Sequence, residues 1–315
     1  MCFRRRNTSN LIYHQTMNII KYKSVFLGIS ALLVLASVIA LSTLGLKIGI
    51  DFKGGAMWQV KQVSGDVAMN EGTLKDFLGT TLEDKNFVMF PADDGSYLIR
   101  MSAISEATHQ QYLQDLRATF GTIEEGQFQS IGATIGDELR AKSLWAIVYV
   151  VLGISLYVTY AFRKVSYPVK SWKYGVITLI TLLHDVIVPA GFFAVLGWKF
   201  GVEIDTNFIV ALLVVMGFSV HDTIVVFDRI RENVLNHGGN TKFEDIVNKS
   251  VNQTFARSIN TSLTVLIVLI AMYFFGPATL QYFILTLIIG IAMGTYSSIF
   301  VASPLLTISR KLSRV

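Results

Sequence analysis

The sequence FIVALLVVMGFSVHDTIVVF, residues Phe208 to Phe227, is an apolar run long enough to cross a lipid bilayer. It places His221 and Asp222 side by side within the run. A charged side chain at the centre of a membrane helix costs about 2.5–3.5 kcal/mol, so such residues face a protein interior or a wet cavity and mark ion or proton routes. A second pair, His184 and Asp185, lies within another apolar run. The two His-Asp pairs therefore predict a function that is coupled to proton movement.

The composition excludes an ordinary soluble domain, because 52% of the 315 residues are hydrophobic and only 16% are charged. About 20 apolar residues make one crossing of a bilayer. The sequence therefore predicts a polytopic α-helical membrane protein with six transmembrane helices, at residues 25–46, 143–162, 174–196, 207–227, 258–275 and 280–307. The last five form a membrane domain over residues 143–315.

Basic residues predict the orientation, since Lys and Arg in short flanking segments prefer the cytoplasm. They lie before the first span, between spans two and three, between spans four and five, and after the last span: Arg4, Arg5, Arg6, Lys21, Lys23, Arg163, Lys164, Lys170, Lys173, Arg229, Arg231, Lys242, Lys249, Arg257, Arg310, Lys311 and Arg314. The opposite short loops hold one base, Lys199. Both termini, including the tail 1–24, are therefore predicted to be cytoplasmic. The net charge of +5 reports this bias rather than a nucleic-acid partner.

The first span has two interpretations, because a basic segment precedes it. A cleaved signal peptide is one of them. The 22 apolar residues of 25–46 exceed an h-region of about 7–15 residues and no A-x-A site follows, which favours an uncleaved anchor. Cys2 is the only cysteine, so we expect no disulfide in the exported part.

Residues 47–142 have a different composition, with Gly, Asp, Glu and Ser in place of aliphatic runs. They predict an extracytoplasmic α+β domain with helix starts at Asn70 and Ser105. The predicted strands are 56–63, 87–90, 97–101 and 127–131, and the predicted helices are 71–82 and 106–120. This βαββαβ order is typical of a ferredoxin-like layer. Without a catalytic cluster, the domain is expected to be a binding module for a polypeptide.

Two polar features of this domain have ordinary interpretations. His109 is predicted to be a solvated helix residue, with catalysis as the alternative. Asp93 and Asp94, followed by Gly95 and Ser96, predict a hairpin turn, with a metal site as the alternative. We therefore expect no metal and no cofactor.

The third span carries Thr178, Thr181 and Asp185 on one helix face. Pro189 lies four residues after Asp185, so a kink or a free carbonyl at Asp185 is expected. One interpretation is a kinked helix with a buried, protonated Asp185 bonded to a neighbour. The other is a functional carboxyl group.

In the fourth span Gly217 shares a face with His221, and Ser219 shares one with Asp222. The fifth span starts near Arg257, which is predicted to lie at about the same depth in the membrane as Asp222. Its guanidinium either extends to the lipid headgroups or joins a polar network with Asp222. In the network, movement of Arg257 toward or away from the carboxyl group would switch its protonation.

Further along, the fifth span places Asn260, Thr261 and Thr264 on one stripe. The two histidines, His184 and His221, titrate in a range that suits proton transfer, although either could serve packing alone. Gly290, Gly294 and Ser298 in the last span predict a close helix contact.

Six ordered motifs resemble the SecF subunit family of the bacterial protein translocase, within the resistance-nodulation-division type of proton-driven membrane proteins. They are IDFKGG at 50–55, IGATIGDEL at 131–139, LLHD at 182–185, GFSVHDTIVVFDRIREN at 217–233, FARSINTS at 255–262 and GTYSSIFVAS at 294–303. The resemblance covers nearly the whole chain. It departs from the family pattern at His221, Lys53 and Ala133, where Asn, Thr and Pro are common.

The resemblance implies a function in the bacterial cytoplasmic membrane. The exported domain would engage preproteins emerging from the SecYEG channel, and proton flux would drive its movement after the SecA motor has acted. A separate SecD partner is implied, because six spans are half of the superfamily's usual twelve, and YajC is a further candidate partner.

The resemblance also assigns roles to residues. Asp222 and Arg257 match positions tied to proton conduction, and Asp185 matches the HD motif of the third span. His221 and His184 join the predicted proton pathway because of the range in which histidine titrates, and not through the resemblance. The structural-motif residues are Asp51, Phe52, Gly54, Gly55 and Gly217.

Two rival functions remain at the level of sequence. Two aspartates on adjacent membrane helices could form an intramembrane aspartyl protease, but the GxGD box of such enzymes is missing, since Gly217 is followed by Phe218, Ser219, Val220 and His221. We therefore expect no enzymatic activity. A passive scaffold or membrane chaperone is the second rival, and it predicts that a neutral residue at 222 leaves export unaffected.

Overall fold

The computed structural model describes residues 18–81, 87–92, 95–163, 169–236 and 241–311. Predictions that rest on Cys2, Arg4, Arg5, Arg6, Asp93, Asp94, Lys164 and Arg314 lie outside these residues. The chain divides into two compact units. The α+β unit consists of Leu46–Ile147 with Leu196–Ile209, and the helical unit consists of the described residues of Met1–Gly45, Val148–Val195 and Val210–Val315.

The elements follow one another in chain order as α1 (Lys23–Thr43), α2 (Ile50–Lys53), β1 (Gly55–Ser64), α3 (Glu71–Thr81), β2 (Val88–Pro91), β3 (Tyr97–Met101), α4 (Glu106–Phe120), β4 (Thr122–Ile131), α5 (Ala133–Ala161), α6 (Ser171–Phe200), α7 (Thr206–Asn236), α8 (Phe243–Phe275), α9 (Gln281–Ser297), a π-helical segment (Ser298–Ala302) and α10 (Ser303–Lys311). Short 3-10 turns precede α1 and α9.

Among the described residues, six helices are long and apolar enough to cross a membrane, which confirms the predicted number. They are α1, α5, α6, α7, α8 and a last span built from α9, the π-helical segment and α10. The α6, α7 and α9–α10 spans have at least half of their apolar windows buried, whereas most of α1, α5 and α8 is exposed. Two of the three most buried spans carry the aspartates, Asp185 in α6 and Asp222 in α7. Both residues therefore lie on helices that are surrounded mainly by protein.

The α+β unit contains a four-stranded antiparallel sheet in the order β2-β3-β1-β4. With α3 and α4 between the strands, the chain follows the predicted βαββαβ path of a ferredoxin-like layer. In the central strand, Trp58 pairs with Ile99 of β3 on one side and with Phe128 of β4 on the other. In this strand order, β2 and β4 are the two edge strands of the described sheet.

Local signals explain both helices of this layer. Asn70 and Thr73 exchange side-chain to backbone hydrogen bonds of 3.0 Å at the start of α3, and the Ser105 hydroxyl accepts from the Thr108 amide at the start of α4. Such bonds satisfy amides that have no partner within the helix. Gly121 ends α4 at φ 82°, a backbone angle that suits glycine.

The core of this layer lies between the sheet and its two helices. Its largest fully buried side chains are Trp58, Phe120, Leu74, Leu78, Ile99 and Leu116. The prediction that His109 is solvated is wrong, because only 2% of the residue is exposed. Its ring stacks on Phe128 at 3.6 Å, and its Nε2 lies 2.6 Å from Glu125 Oε1. Helical spacing placed His109 on α4 but did not show that this face packs on the sheet.

Strand β4 is longer than predicted, because it begins at Thr122 instead of residue 127. The first half, TIEEG, is too polar to resemble a strand. It pairs with β1 across a register shift between Gln59 and Val60, and Ile123 points into the core with 4% exposed. Pairing with a neighbouring strand outweighs the low strand propensity of the glutamates.

Candidate functional site

Helix α7 separates its polar residues between two faces, as the spacing predicts. Ser219 and Asp222 are buried, with 1% and 4% exposed. Gly217 and His221 are exposed, and a Cβ built on Gly217 would meet nothing within 4 Å. Asp222 therefore faces the other helices of its unit, whereas His221 faces outward.

Asp185 of α6 is fully buried and joins three helices. Its Oδ2 accepts hydrogen bonds from Ser219 Oγ of α7, at 2.5 Å, and from Ser297 Oγ of α9, at 2.8 Å. Its Oδ1 lies 2.9 Å from Nδ1 of the adjacent His184. The bonded neighbours expected for a buried Asp185 are therefore present, and they come from α6, α7 and α9, of which α7 also carries Asp222.

The two threonines predicted on this face are buried but bond elsewhere. Thr178 donates to the Tyr174 carbonyl, and Thr181 donates to the carbonyls of Ile177 and Thr178. Both hydroxyls are thus bonded to their own helix. The face predicted from spacing is correct, but the threonines are not partners of Asp185.

His184 is 4% exposed, and its Nε2 is buried with no hydrogen-bond partner among the described residues. Its ring lies alongside Tyr296, with ring centroids 6.3 Å apart. The Tyr296 hydroxyl donates to the Phe26 carbonyl of α1 and accepts from Ser30. A buried nitrogen without a partner is uncommon in proteins. This one belongs to the same imidazole ring whose Nδ1 lies beside the Asp185 carboxyl group.

Asp222 is bonded much less completely. Its Oδ2 accepts one long hydrogen bond, 3.5 Å, from Ser298 Oγ, and Ser258 of α8 lies beside it. Among the described residues, no lysine or arginine nitrogen lies within 4.0 Å of this carboxyl group. A buried carboxyl group with few fixed partners is sensitive to any proton, water or cation that reaches it.

Arg257 is exposed and precedes Ser258 on α8. It borders a cavity of about 370 Å³ whose lining includes Ile224 and Val225, one turn beyond Asp222 on α7. The remaining lining residues are Ala161, Phe162, Asp228, Arg229, Arg231, Glu232 and Thr254. Arg257 thus shares this cavity with the part of α7 that follows Asp222, and no ion pair within 4.0 Å joins Arg257 to Asp222. The guanidinium is exposed, and both roles predicted for Arg257 stay predictions.

Sequence reasoning missed the two adjacent serines of the last span as partners of the carboxyl groups. Ser297 donates to Asp185 and Ser298 to Asp222. The π-helical segment begins at Ser298, and such segments often occur at functional sites. The dipeptide was visible within the GTYSSIFVAS motif, but nothing in it shows which residues the hydroxyls face.

The small residues of α9 bring it close to α7, as predicted. A Cβ on Gly294 would lie 2.8 Å from Ser219 Cβ, and one on Gly290 would collide with the Val215 side chain. The Ser262 and Thr295 hydroxyls bond across α8 and α9 at 2.5 Å. This close packing allows short hydroxyl side chains to reach the carboxyl groups.

The IDFKGG residues lie in the α+β unit. Asp51 and Phe52 are buried in α2, and Gly54 and Gly55 have φ angles of 76° and 134°, which side chains rarely adopt. A Cβ on Gly54 would lie 2.7 Å from Ala133 at the start of α5. The two glycines thus permit a tight turn directly against the next membrane helix.

Comparison with known proteins assigns the chain to a family. The family model described as protein export membrane protein SecD/SecF, C-terminal, matches residues 111–312. The protein translocase subunit SecF of Thermobaculum terrenum is 44% identical over 303 residues, which cover 92% of this chain and 93% of that relative. This chain belongs to the SecD/SecF family. Among SecF subunits, that of Sebaldella termitidis is 37% identical over 301 residues, with 95% of this chain and 93% of the relative covered.

The fold agrees with a solved member of the SecD/SecF family. The crystal structure of SecDF, a translocon-associated membrane protein from Thermus thermophilus, matches with a TM-score of 0.78 at 30% identity. The match covers 96% of this chain and 40% of the SecDF chain. The chain therefore spans less than half of that SecDF protein, although it spans nearly all of the SecF relatives.

Proposed function

We propose that the chain works with a SecD partner in the bacterial cytoplasmic membrane. In this role it uses the proton motive force to complete the export of preproteins through SecYEG after SecA-driven translocation. The membrane location and the translocase family follow from the six apolar helices and the relatives. The basic segments that flank the spans support cytoplasmic termini, so that the ferredoxin-like layer faces the exported polypeptide.

The observation that carries the proposal is the contrast between the two buried aspartates. Asp185 has three bonded neighbours, whereas Asp222 has one long hydroxyl bond and a cavity one turn away. A carboxyl group that exchanges protons needs weak, replaceable partners and a route to water. We assign this exchange first to Asp222, whose bond is long and whose helix borders the cavity within the next turn, with Asp185 beside it in the pathway.

Arg257 is the proposed switch for Asp222. A guanidinium that approaches a carboxyl group favours its ionised form, and one that withdraws favours the protonated form. Because Arg257 borders the cavity and no ion pair holds it on Asp222, a small movement of α8 would change their separation. Each proton that crosses 100 mV supplies about 2.3 kcal/mol, so several protons would be needed for a large mechanical step.

An exposed polar stripe on α8 supports the SecD partner. Arg257, Asn260, Thr261 and Thr264 are all exposed on this membrane helix. Polar side chains within a membrane face protein or water rather than lipid. On α7, His221 and Gly217 form a second exposed patch of this kind. We assign both patches to the contact with SecD.

The proposal gives the aspartates a proton-transfer role and no catalytic one. An aspartyl protease needs two carboxyl groups that share one proton. Here the two groups bond to different serines, Ser297 and Ser298. We therefore propose that the protein cleaves no bond.

The decisive experiment measures preprotein translocation into inverted membrane vesicles with and without an uncoupler. Asp222→Asn is expected to lose the part of translocation that the uncoupler removes from the wild type, at an unchanged protein level. Asp76→Asn, at an exposed position of α3, is the matched control and should behave as wild type. Full proton-driven translocation by Asp222→Asn would instead support a passive scaffold.

A further inference from the structure

The buried acid of the IDFKGG motif, Asp51, joins two elements that are distant in sequence. Its Oδ1 accepts from Gln129 Nε2 of β4 at 3.2 Å. Its Oδ2 accepts from the backbone amide of Thr206, the first residue of α7, at 2.9 Å. The first amides of a helix lack partners within the helix, and a carboxylate there also interacts favourably with the helix dipole. Asp51 therefore acts as a cap that the sheet-bearing layer supplies to α7.

The backbone next to Asp51 is paired with the loop that precedes α7. The Gly49 amide donates to the Ile204 carbonyl at 2.9 Å, and the Ile204 amide donates to the Lys47 carbonyl at 2.8 Å. A Cβ on Gly49 would lie 2.9 Å from that Ile204 carbonyl oxygen, so the pairing requires the glycine. The segment after α1 and the loop between α6 and α7 thus form a short parallel bridge.

A salt bridge adds a third connection to the same loop. Arg100 Nη1 of β3 lies 2.5 Å from Glu203 Oε1. The two side chains are partly buried, with 26% and 27% exposed. Partial burial and a short distance make such a pair stronger than a fully exposed one. The loop is therefore held by β3, by the Gly49 backbone and by Asp51.

Helix α5 packs on the other side of the motif. A Cβ on Gly136 would lie 2.9 Å from the Gly54 nitrogen and 3.1 Å from the Phe52 carbonyl carbon. The start of α5 thus touches the motif backbone directly. Residues 47–55, which we call the coupling segment, contact the starts of two membrane helices and the sheet.

We propose that the coupling segment transmits movement of α7 to the ferredoxin-like layer, with Asp51 as its positioning residue. Rigid elements joined by bonded contacts can carry mechanical coupling between distant sites. Such a connection exists here: α7 is one continuous helix from Thr206 through Asp222, and its first amide is bonded to the layer. Asp51 does not contact Asp222. It bonds the first residue of α7 to the layer.

The inference rests on the proposed function, and two readouts separate them. The protein is reconstituted with SecD and SecYEG in vesicles, SecA and a preprotein are added, and both proton conduction, by a trapped pH-sensitive dye, and proton-driven translocation are measured. Asp51→Ala should lower translocation by about tenfold, the change in an equilibrium that loss of an ordinary helix cap produces. Proton conduction should stay near the wild-type rate. Asp222→Asn should lose both activities.

A conservative variant tests the bond itself. Asp51→Asn keeps an oxygen that can accept from the Thr206 amide, so it should restore most of the translocation that Asp51→Ala loses. Normal translocation by Asp51→Ala would overturn the inference. Loss of proton conduction together with translocation would also overturn it, since that result indicates a general structural role. Full translocation by Asp222→Asn would refute the proposed function instead.

The salt bridge provides an independent test if Asp51→Ala does not fold. Arg100→Glu and Glu203→Arg should each reduce translocation with little change in proton conduction. The double variant should recover most of the loss, because it restores the pair with reversed charges. A double variant no better than the single ones would contradict coupling through this loop.

Discussion

Ser297 and Ser298 are adjacent in sequence, yet their hydroxyl groups donate to different carboxyl groups, those of Asp185 and Asp222. In a regular α-helix, consecutive residues point about 100° apart. The π-helical segment that begins at Ser298 widens the turn at this point. One short stretch of the last span therefore contacts both candidate proton sites.

The two serines predict a pair of unequal effects. Ser297→Ala removes a 2.8 Å hydrogen bond from a fully buried carboxyl group, so the free energy of unfolding should fall by about 1–3 kcal/mol. Ser298→Ala removes a 3.5 Å bond, and its loss should stay below about 1 kcal/mol. Reversible denaturation of the purified chain in mild detergent measures both. Equal losses would show that the bond lengths do not reflect the strengths of these contacts.

Close packing of α7 on α9 predicts a second contrast, between two glycines. A methyl group at Gly294 would lie 2.8 Å from Ser219 Cβ, so Gly294→Ala forces the helices apart and should destabilise the isolated chain by about 1–3 kcal/mol. Gly217→Ala is the control on α7, because a Cβ there meets nothing within 4 Å. The same unfolding measurement applies. A neutral Gly294→Ala would mean that the helices separate without cost.

Much of this architecture could be predicted from local sequence patterns. Long apolar runs predicted six spans, and the alternation of strands and helices predicted the ferredoxin-like layer. Asp222 and Asp185 were found because an acid in an apolar run is costly and therefore noticeable. Serines are not costly there, so Ser219, Ser297 and Ser298 could equally have been packing residues. Only the three-dimensional contacts show their partners.

Contacts between segments that are distant in sequence could not be predicted from these patterns. His109 has the spacing of a helix residue, and its burial depends on how α4 packs on β4. Asp51 was assigned to a motif by resemblance, and its bond to Thr206 joins residues that are 155 positions apart. Such partners depend on tertiary structure, which periodicity does not encode.

The cluster around His109 gives a third prediction. Glu125 Oε1 lies 2.6 Å from His109 Nε2 and accepts from Trp58 Nε1 at 2.9 Å. Glu125→Ala leaves two buried groups without an acceptor, which should cost about 1–3 kcal/mol for each group left unsatisfied. Glu124→Ala, next to it on β4, is the control. Thermal unfolding of the full chain should separate the variants, and equal transition temperatures would contradict a bonding role for Glu125.

The start of α4 predicts a modest pH dependence. Hydrogen bonds from Gln110 and then from His109 hold the pKa of the Glu106 carboxyl group below its usual range. Because the folded-state pKa is the lower one, the stabilising effect is present above the unfolded pKa of about 4.3 and is lost as the pH falls through the folded pKa. Glu106→Gln should therefore flatten the acid limb of a stability profile recorded below about pH 5. Glu106 is fully exposed, so high salt should shrink the difference, and an unchanged acid limb would exclude this contribution.

The cavity beside Arg257 gives the last prediction, which separates charge from shape. Arg257→Gln removes the cation near Asp222 and should reduce proton-driven translocation about as much as Asp222→Asn does, because the carboxyl group loses the charge that changes its protonation. Arg257→Lys keeps the charge and should retain a measurable part of the activity. Arg229→Gln is the matched control, since Arg229 lines the same cavity but is bonded to Gln253 and Glu232. Equal losses for Arg257→Gln and Arg229→Gln would mean that the cavity needs positive charge in general, and Arg257 would then have no specific relation to Asp222.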